Sequence, residues 1–283
     1  MTLNELYLHS KVELQKAAIE DFEFESVVLI RHFFHLTHNE WLSKRNEAAS
    51  PLLTAPFLKA VEERTTHRPL QYILGSWEFM GLEIAVGEGV LIPRDDTEVL
   101  VRTVSEWLAD KEDADGLDLC AGSGAISLGL SSLHPDLRMT AIEISSTAFS
   151  FLVENLDSYA EYDIVPVQGD IFDEELIHSF TGTFDFIASN PPYIESDELP
   201  TLQEEVQREP HLALDGGKDG LLFYHEIVAK WKNCLKPGGL LAFEIGETQA
   251  DSVTNILKEH GFFSIAVHKD LAGLNRVVSG IKT

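Results

Sequence analysis

From residue 116 onward, short apolar runs of strand length alternate with segments of helical periodicity, and this alternation constrains the fold more than any other feature. Strands that are apolar on both faces need cover on both faces, which favours a parallel sheet with helices on each side. The sequence therefore predicts an α/β fold with a doubly wound sheet. The seven strand candidates are residues 117–120, 139–143, 164–168, 184–189, 240–245, 262–268 and 276–280.

The N-terminal part of the chain carries a different pattern, in which apolar residues recur at helical intervals. Thr2 and Glu5 have the spacing of a capping box at the start of the first helical segment. Residues 22–34 and 56–64 repeat the helical pattern. We therefore predict a small helical bundle as a first domain over residues 1–71.

A connector with strand periodicity follows the bundle. Leu82, Ile84 and Val86 are apolar residues spaced by two, and glycines stand on either side of them. This pattern predicts a β-hairpin within residues 72–92. Thr97 then has the position of a cap for a helix that runs on to residue 108. The sheet-containing domain is expected over residues 93–283.

The charge balance limits the partners of the chain. It has 47 acidic and 21 basic residues, for a formal net charge of -26. Such a field repels phosphate backbones, so we expect no stable nucleic-acid binding. The excess of acid either keeps the protein in solution or attracts a basic partner, and both interpretations stay open.

Cysteine usage and hydropathy indicate the compartment. The two cysteines, Cys120 and Cys234, form neither a disulfide framework nor a zinc-ligand pattern, which favours a reducing environment. The N-terminus lacks a basic segment before an apolar run, and no stretch approaches the roughly 18 apolar residues of a membrane span. We therefore expect a cytoplasmic protein without membrane contact.

Three histidines with regular spacing raise the question of a metal site. His32, His35 and His38 lie three apart in the sequence. On one helix, at about 100° per residue, the first and third would point about 240° apart and could not converge on one ion. We predict no metal site, with surface or helix-end positions as the default for these residues.

The first strand of the predicted sheet runs into a glycine-containing turn that opens a helix. Glycines there let the backbone pass close to a ligand, although a tight structural turn has the same pattern. Ser127 stands where a dinucleotide fingerprint needs a third small residue, which disfavours a pyrophosphate ligand. The candidate ligand-binding residues of this turn are Asp118, Cys120, Ala121, Gly122, Ser123 and Gly124.

Acidic residues follow the next two strands. Glu143 ends the second strand, where a carboxylate can accept hydrogen bonds from both ribose hydroxyls. Asp170 follows the third strand and can accept from an adenine amino group, while Ile171 or Phe172 covers the ring. Taken alone, Asp170 is also explained as a helix cap. Three successive strand ends together predict a nucleoside site at the carboxyl edge of the sheet.

The fourth strand runs directly into the most specific segment of the chain, Asn190, Pro191, Pro192 and Tyr193. Two prolines fix φ and remove two backbone donors, so the nearby carbonyls stand as acceptors on a rigid segment. An ordinary Pro-Pro loop after a strand is the structural alternative. A rigid set of acceptors is what a substrate with a planar NH2 group requires.

A planar NH2 group is a poor nucleophile because its lone pair is delocalised. If the side-chain oxygen of Asn190 and the carbonyl of Pro191 each accept one N–H, the nitrogen can be aimed at a sulfonium methyl group. Tyr193 can stack against the planar group. No strong general base is needed, since the methylated nitrogen becomes acidic enough to lose its proton. We therefore predict Asn190 to Tyr193 as the catalytic tetrapeptide.

Beyond these motifs, the chain is similar over residues 60–283 to one known family. Residues 68–75, 91–98, 209–221, 244–249 and 270–278 resemble its sequence hallmarks. The tetrapeptide completes the resemblance. The family is that of the release factor glutamine methyltransferases, known as PrmC or HemK, within the class I S-adenosylmethionine-dependent methyltransferases.

The resemblance implies a Rossmann-like methyltransferase domain with seven strands, preceded by a helical domain that recognises substrate. It implies S-adenosyl-L-methionine as cofactor, held by the residues of the three strand ends together with Asn190. It also implies class I peptide chain release factors as partners, with the glutamine of their Gly-Gly-Gln tripeptide held by Asn190 to Tyr193.

Two other functions fit parts of the sequence. An adenine-N6 methyltransferase acting on nucleic acid would use the same planar-amine geometry, but it needs a basic groove and a recognition module, and neither is found. A catalytically silent nucleoside-binding protein, with the helical bundle as docking surface, would not need an intact tetrapeptide. The release factor methyltransferase interpretation uses all of these features.

Overall fold

The computed structural model describes all residues, 1–283. The chain divides into two compact units, and each unit is built from two separate stretches of the sequence. The first unit comprises Met1–Ser76 together with Gln203–Arg208. The second comprises Trp77–Leu202 and Glu209–Thr283.

The first unit is helical, which confirms the predicted bundle. Its helices are α1 (Leu3–Lys16), α2 (Phe22–Phe33), α3 (His38–Lys44), α4 (Pro51–Thr65) and α5 (Leu70–Leu74). The predicted capping box is present, because the Thr2 side chain accepts from the Glu5 N–H and the Glu5 carboxylate accepts from the Thr2 N–H. Leucines at positions 6, 14 and 29 are fully buried in the core.

Residues 203–208 complete this helical unit through ionic contacts. The buried Arg64 guanidinium donates to Glu25 at 2.6 and 3.0 Å and to Glu205 at 2.9 Å. His67 Nδ1 lies 2.9 Å from the same Glu205 carboxylate. Arg208 also donates to the Thr66 carbonyl at 3.0 Å. A buried guanidinium requires such pairing, since an unpaired charge in the core is strongly destabilising.

The three regularly spaced histidines do not share one helix. His32 lies near the end of α2, His35 lies in the following turn with φ +54°, and His38 begins α3. No group of three or more His, Cys, Asp or Glu residues in the chain has an arrangement that could hold a metal ion. None of the helices combines the length and the apolar character needed to cross a bilayer.

The predicted hairpin, β1 (Ser76–Phe79) and β2 (Leu82–Ala85), belongs to the second unit from Trp77 onward. The sheet that follows has seven strands, as predicted, in the order β5-β4-β3-β6-β7-β9-β8. Its pairs are parallel except for β9, which is antiparallel to both β7 and β8. The strands are β3 (Asp115–Leu119), β4 (Arg138–Glu143), β5 (Asp163–Gln168), β6 (Phe184–Ser189), β7 (Leu235–Glu244), β8 (Phe262–Lys269) and β9 (Asn275–Lys282).

Helices accompany this sheet: α6 (Glu98–Leu108), α7 (Ala125–Leu133), α8 (Ser146–Ser158), α9 (Glu174–Ser179), α10 (Leu222–Glu226) and α11 (Ala250–Glu259). A π-helical turn, Ile227–Trp231, continues α10. Trp231 is fully buried, and its indole N–H donates to the Ile171 carbonyl at 2.9 Å. The buried aromatic therefore supports the loop after β5.

One strand begins earlier than predicted. β7 starts at Leu235, five positions before the predicted residue 240, because its first part pairs with Phe184 and the register then shifts. Gly238, with φ +77°, lies in the irregular stretch. Glycine and proline in this segment break the alternation by which a strand is predicted from sequence. The segment nevertheless pairs with β6, and a bulge accommodates the irregular residues.

The order of the strands places the site. β3 lies at the centre, with β4 on one side and β6 on the other, so the direction of winding reverses between β3 and β6. Loops leaving the carboxyl ends of these strands part in opposite directions, which opens a crevice at that edge. The cleft described next lies there.

Candidate active site

A cleft at the carboxyl ends of the central strands encloses about 1020 Å³, including its opening to solvent. The predicted site residues that line it are Cys120, Ala121, Gly122, Ser123, Glu143, Asp170, Ile171, Asn190 and Pro192. Four further predicted residues, Asp118, Gly124, Pro191 and Tyr193, are not in its lining.

The turn after β3 has a left-handed backbone at three alternate positions, Cys120, Gly122 and Gly124, with φ values of +63°, +57° and +84°. Gly124 suits its left-handed conformation, and a Cβ atom there would also displace the Leu152 side chain, whose Cδ1 would lie 2.6 Å away. Cys120 holds its unusual conformation without being glycine. The result is a compact turn that lays its backbone along the cleft wall.

Glu143 is the carboxylate at the end of β4, and it is only 8% exposed. Its Oε2 accepts from the Gly122 N–H at 2.9 Å, and its Oε1 accepts from the Ser145 N–H at 2.7 Å. Each carboxylate oxygen has a second acceptor position. The side chain is therefore fixed by backbone donors and still able to accept from a ligand in the cleft.

Asp118 lies in β3, just before the glycine-containing turn, and faces the interior of the protein. It is completely buried, and its Oδ2 accepts from the Ser127 N–H at 3.2 Å and from the Ser127 hydroxyl at 2.8 Å. Its Oδ1 has no hydrogen-bond partner, and burial raises the pKa of the carboxyl to about 7. These bonds tie β3 to the first turn of α7. A direct contact of Asp118 with a cofactor stays a prediction.

The loop after β5 forms another wall of the cleft. Asp170 Oδ1 accepts from the Phe172 N–H at 2.9 Å, which closes a tight local turn. Ile171 and Phe172 line the cleft beside it. The Phe172 ring contacts Phe223, whose centroid is 5.5 Å away, and Phe223 also lines the cleft. These residues make an apolar wall with one acidic end.

Asn190 follows β6 and reaches the cleft. The preceding Ser189 is buried and donates through its hydroxyl to the Leu119 carbonyl at 2.7 Å, which fixes the entry to the tetrapeptide. Asn190 Nδ2 donates to the Thr97 hydroxyl at 3.4 Å. That bond uses the nitrogen end of the carboxamide, so Oδ1 remains as an acceptor.

The position of Thr97 corrects its predicted role as a helix cap. Its side chain makes no capping bond, and α6 begins after a 3-10 turn, Asp95–Thr97. The hydroxyl instead hydrogen-bonds with the carboxylate of Glu244, besides accepting from Asn190. Because Asn190 Nδ2 donates to the Thr97 oxygen, the hydroxyl proton of Thr97 remains available to donate to Glu244.

Glu244, at the end of β7, is 1% exposed. Burial raises the pKa of its carboxyl to about 7, although hydrogen bonding with Thr97 and the charge of Arg276 act in the opposite direction. Its Oε2 has no hydrogen-bond partner. This group was noted in the sequence only as part of a family segment, and no local pattern places it behind Asn190.

Tyr193 packs behind the cleft. Burial raises the pKa of its phenol, and the nearby Glu244 carboxylate raises it further. The Tyr193 carbonyl accepts from Gln249 Nε2 at 2.9 Å. Stacking of the ring against a planar substrate stays a prediction.

Several lining residues were not singled out from the sequence. They come from two segments, and they are Arg94, Pro210, Leu212 and Ala213. Glu209 joins these segments, because its carboxylate accepts from the Ile92 N–H at 3.0 Å and pairs with the Arg94 guanidinium. Both segments resemble hallmarks of the family, but the resemblance alone assigns no role to these residues.

The comparisons with known proteins agree along the chain. Residues 5–75 match the PrmC N-terminal domain family, and residues 95–260 match the methyltransferase small domain family. A solved methyltransferase from Pyrococcus furiosus shares the fold, with a TM-score of 0.51, 20% identity, and coverage of 71% of this chain and 89% of its own.

Two curated relatives are more similar in sequence. A release factor glutamine methyltransferase of Clostridium acetobutylicum is 38% identical over 88% of this chain and 85% of its own length. One of Clostridium botulinum is 35% identical over 100% of both chains. Identity at this level over nearly complete chains shows common family membership. The chain belongs to the release factor glutamine methyltransferase family.

Proposed function

We propose that the protein transfers a methyl group from S-adenosyl-L-methionine to the side-chain amide nitrogen, N5, of the glutamine in the Gly-Gly-Gln tripeptide of class I release factors. One observation carries the proposal. Asn190 lines the cleft with its amide oxygen left as an acceptor, on a rigid Pro-Pro segment, in a chain of this family.

The residues of the cleft fit the proposed cofactor. Glu143 has both carboxylate oxygens held by backbone donors, as a partner for ribose hydroxyls must be. A Cβ atom at Gly122 would meet nothing within 4 Å, so the turn leaves its ligand side open. Ile171 and Phe172 supply an apolar wall for a flat base, with Asp170 at its edge. S-adenosylmethionine, when bound, supplies an electrophilic methyl group on a sulfonium sulfur.

The protein's own contribution is to orient the side-chain amide of the substrate glutamine and to restrict its rotation. Asn190 Oδ1 and the Pro191 carbonyl accept the two N–H groups of the glutamine side chain, so the nitrogen presents one face only. Such positioning supplies much of a barrier reduction when no strong base is required. The proton lost after methylation passes to water or to a carbonyl, since the methylated nitrogen is acidic.

The domain organisation follows the same proposal. Residues 1–71 act as the substrate-recognition domain, residues 72–92 as the connector, and residues 93–283 as the catalytic domain. The match of residues 5–75 to a named N-terminal domain family supports a dedicated role for the helical part. Recognition of a whole protein by a separate domain also suits a target that is a single side chain on a large substrate.

The proposal is tested by mass spectrometry of release factor after incubation with the enzyme and methyl-labelled cofactor. One methyl group on the Gly-Gly-Gln glutamine is expected. A release factor with that glutamine changed to glutamate has no NH2 group and should take no label. Strong labelling of adenine in DNA or RNA, with none on release factor, would contradict the proposal and favour the adenine-N6 alternative.

A further inference from the structure

The carboxamide of Gln249 joins four separate segments of the catalytic unit. Its Nε2 donates to the Tyr193 carbonyl at 2.9 Å and to the Gly220 carbonyl at 3.2 Å. Its Oε1 accepts from the Gly246 N–H at 3.0 Å and lies 3.3 Å from the Tyr224 hydroxyl, which is shared with the Glu244 carbonyl. All hydrogen-bonding positions of the amide are used, which fixes its orientation.

Three glycines leave room for this arrangement. A Cβ atom at Gly220 would lie 2.6 Å from Gln249 Nε2, and one at Gly246 would lie 3.1 Å from its Oε1. At Gly216 a Cβ atom would lie 2.7 Å from Tyr193 Cα. A side chain at Gly216 or Gly220 would therefore collide with the Tyr193 backbone, and one at Gly246 would crowd the Gln249 carboxamide.

The catalytic tetrapeptide cannot hold itself in place. Its two prolines have no N–H, and under the proposed function the Pro191 carbonyl is committed to substrate. The first main-chain acceptor beyond the prolines is the Tyr193 carbonyl, which Gln249 holds. The next contact is Ile194, whose N–H donates to the Leu214 carbonyl at 3.0 Å. Gln249 therefore supplies the side-chain hydrogen bond nearest to the prolines at the exit of the segment, and backbone bonds of Ile194 follow it.

We infer that Gln249 is a positioning residue for methyl transfer. By donating to the Tyr193 carbonyl, it fixes the orientation of Asn190 and of the Pro191 carbonyl relative to the substrate amide. The inference rests on the proposed function of the tetrapeptide. Gln249 is absent from the lining of the cleft, so it acts through the tetrapeptide rather than on substrate or cofactor.

The test is Gln249→Glu, which keeps the shape and the acceptor half of the side chain but removes both donors. Two backbone carbonyls then face a carboxylate. We expect kcat for release factor to fall about 10- to 100-fold at about pH 8.5, as on loss of a preorganised hydrogen-bonding group. The Kd for S-adenosylhomocysteine, measured by calorimetry, and the KM for release factor should change less than about twofold, because the cleft walls are untouched.

The pH profile separates positioning from a general structural defect. When the carboxyl introduced by Gln249→Glu is protonated, it regains one O–H donor for the Tyr193 carbonyl, so the ratio of variant to wild-type kcat should rise as the pH falls from about 8.5 to 6. Taking the ratio cancels titrations common to both proteins. The charged and titratable groups around this position are Tyr193, Tyr224, Glu244, Arg276, Arg94 and Asp96.

Two matched variants complete the experiment. Gln249→Met keeps the length but has neither donor nor a titrating group, so its kcat should fall without recovering at low pH. Tyr224→Phe removes a hydroxyl from the acceptor half of Gln249 and leaves the donors in place. Its kcat should stay within about threefold of wild type, since a shared neutral hydrogen bond contributes little.

A Gln249→Glu enzyme with wild-type kcat, or with a kcat ratio that does not vary with pH, would overturn the inference while leaving the proposed function intact. A parallel loss of cofactor affinity would also overturn it, because the defect would then be general. Failure of the wild-type enzyme to methylate release factor would refute the proposed function itself, and with it the inference. Thermal melting at each pH identifies any unfolded variant, and unfolding of both Gln249 variants would count against a specific positioning role.

Discussion

The two halves of the cleft are held in opposite ways. On the cofactor side, Glu143 is fixed by the N–H groups of Gly122, 21 positions away, and Ser145, two positions away. On the amine side, which is the tetrapeptide of residues 190–193, two of the supports are side chains remote in sequence. Asn190 reaches Thr97, 93 positions away, and the Tyr193 carbonyl reaches Gln249, 56 positions away.

The difference follows from the backbone chemistry of each half. A glycine-containing turn offers N–H donors to the carboxylate at the end of the neighbouring strand. The two prolines have no N–H to offer, and the contacts that hold Asn190 and the Tyr193 carbonyl are made with side chains on other segments. The amine side can therefore lose its alignment while the cofactor side stays intact, and the following predictions test that independence.

The largest effect is expected at Asn190. Asn190→Ala removes the side-chain acceptor for the substrate amide, and turnover should fall about 10²- to 10³-fold, by analogy with loss of one preorganised hydrogen-bonding group. Cofactor affinity, measured by calorimetry, should stay near the wild-type value. If affinity and turnover fell together, the two halves would not be independent.

The complementary change is at Glu143. Glu143→Ala should weaken cofactor binding by about 1.5–3 kcal/mol, the range for loss of charge-assisted hydrogen bonds. Because its carboxylate also holds the Gly122 turn, a melting experiment must first show that the variant is folded. Unchanged affinity in a folded variant would remove Glu143 from the proposed site.

A smaller effect is expected at Thr97. Thr97→Val keeps the shape but removes the hydroxyl that joins Asn190 to Glu244, so kcat should fall about tenfold at constant cofactor affinity, the size of one misaligned hydrogen bond. Thr103→Val is the matched control, since Thr103 is also buried in this region but lies in the middle of α6. Equal effects of the two variants on kcat would contradict a role for Thr97 in orienting Asn190.

The smallest effect concerns stability. The pKa of Glu244 is raised from 4.5 to about 7, so the folded protein binds the proton more tightly than the unfolded chain. The stability that this carboxyl contributes at low pH is lost as the pH rises through that window. Glu244→Gln should therefore gain at least about 1 kcal/mol in free energy of unfolding, relative to wild type, between about pH 4.5 and pH 8.

Denaturant titrations at several pH values give that difference, and Glu259→Gln, an exposed carboxyl on α11, serves as control. A difference between Glu244→Gln and wild type that stays constant with pH would show that Glu244 does not titrate differently on folding. The carboxylate of Glu244, next to Thr97 and Asn190, would then be ionised throughout this pH range.

The features that could be predicted from the sequence are those that depend on residues close together along the chain. All seven strands of the sheet were found, because apolar runs with helical segments between them record burial on both faces. Glu143 and Asn190 were each predicted at the carboxyl end of a strand, and both line the cleft, since parallel strands end at one edge of a sheet. The early start of β7 was missed, because a bulge breaks the alternation.

The supports of the amine side could not be found in this way. Thr97 has the position of a helix cap, and only the approach of Asn190 and Glu244 gives its hydroxyl another partner. Gln249 precedes a helix without any local signal for its contacts with Tyr193 and Gly220. Such contacts depend on which loops fold over the tetrapeptide, and spacing along the chain does not encode that choice.

The interrupted helical unit has a consequence for the order of events during synthesis. Chains emerge from the ribosome N-terminus first, and early domains usually fold before later ones are made. Here Arg64 and His67 lack Glu205 at first, so the bundle gains its last ionic partner only after about 140 further residues have been translated, the separation between Arg64 and Glu205 being 141 positions. Until then the Arg64 guanidinium has Glu25 alone, and the nascent bundle is a less stable species than the finished one.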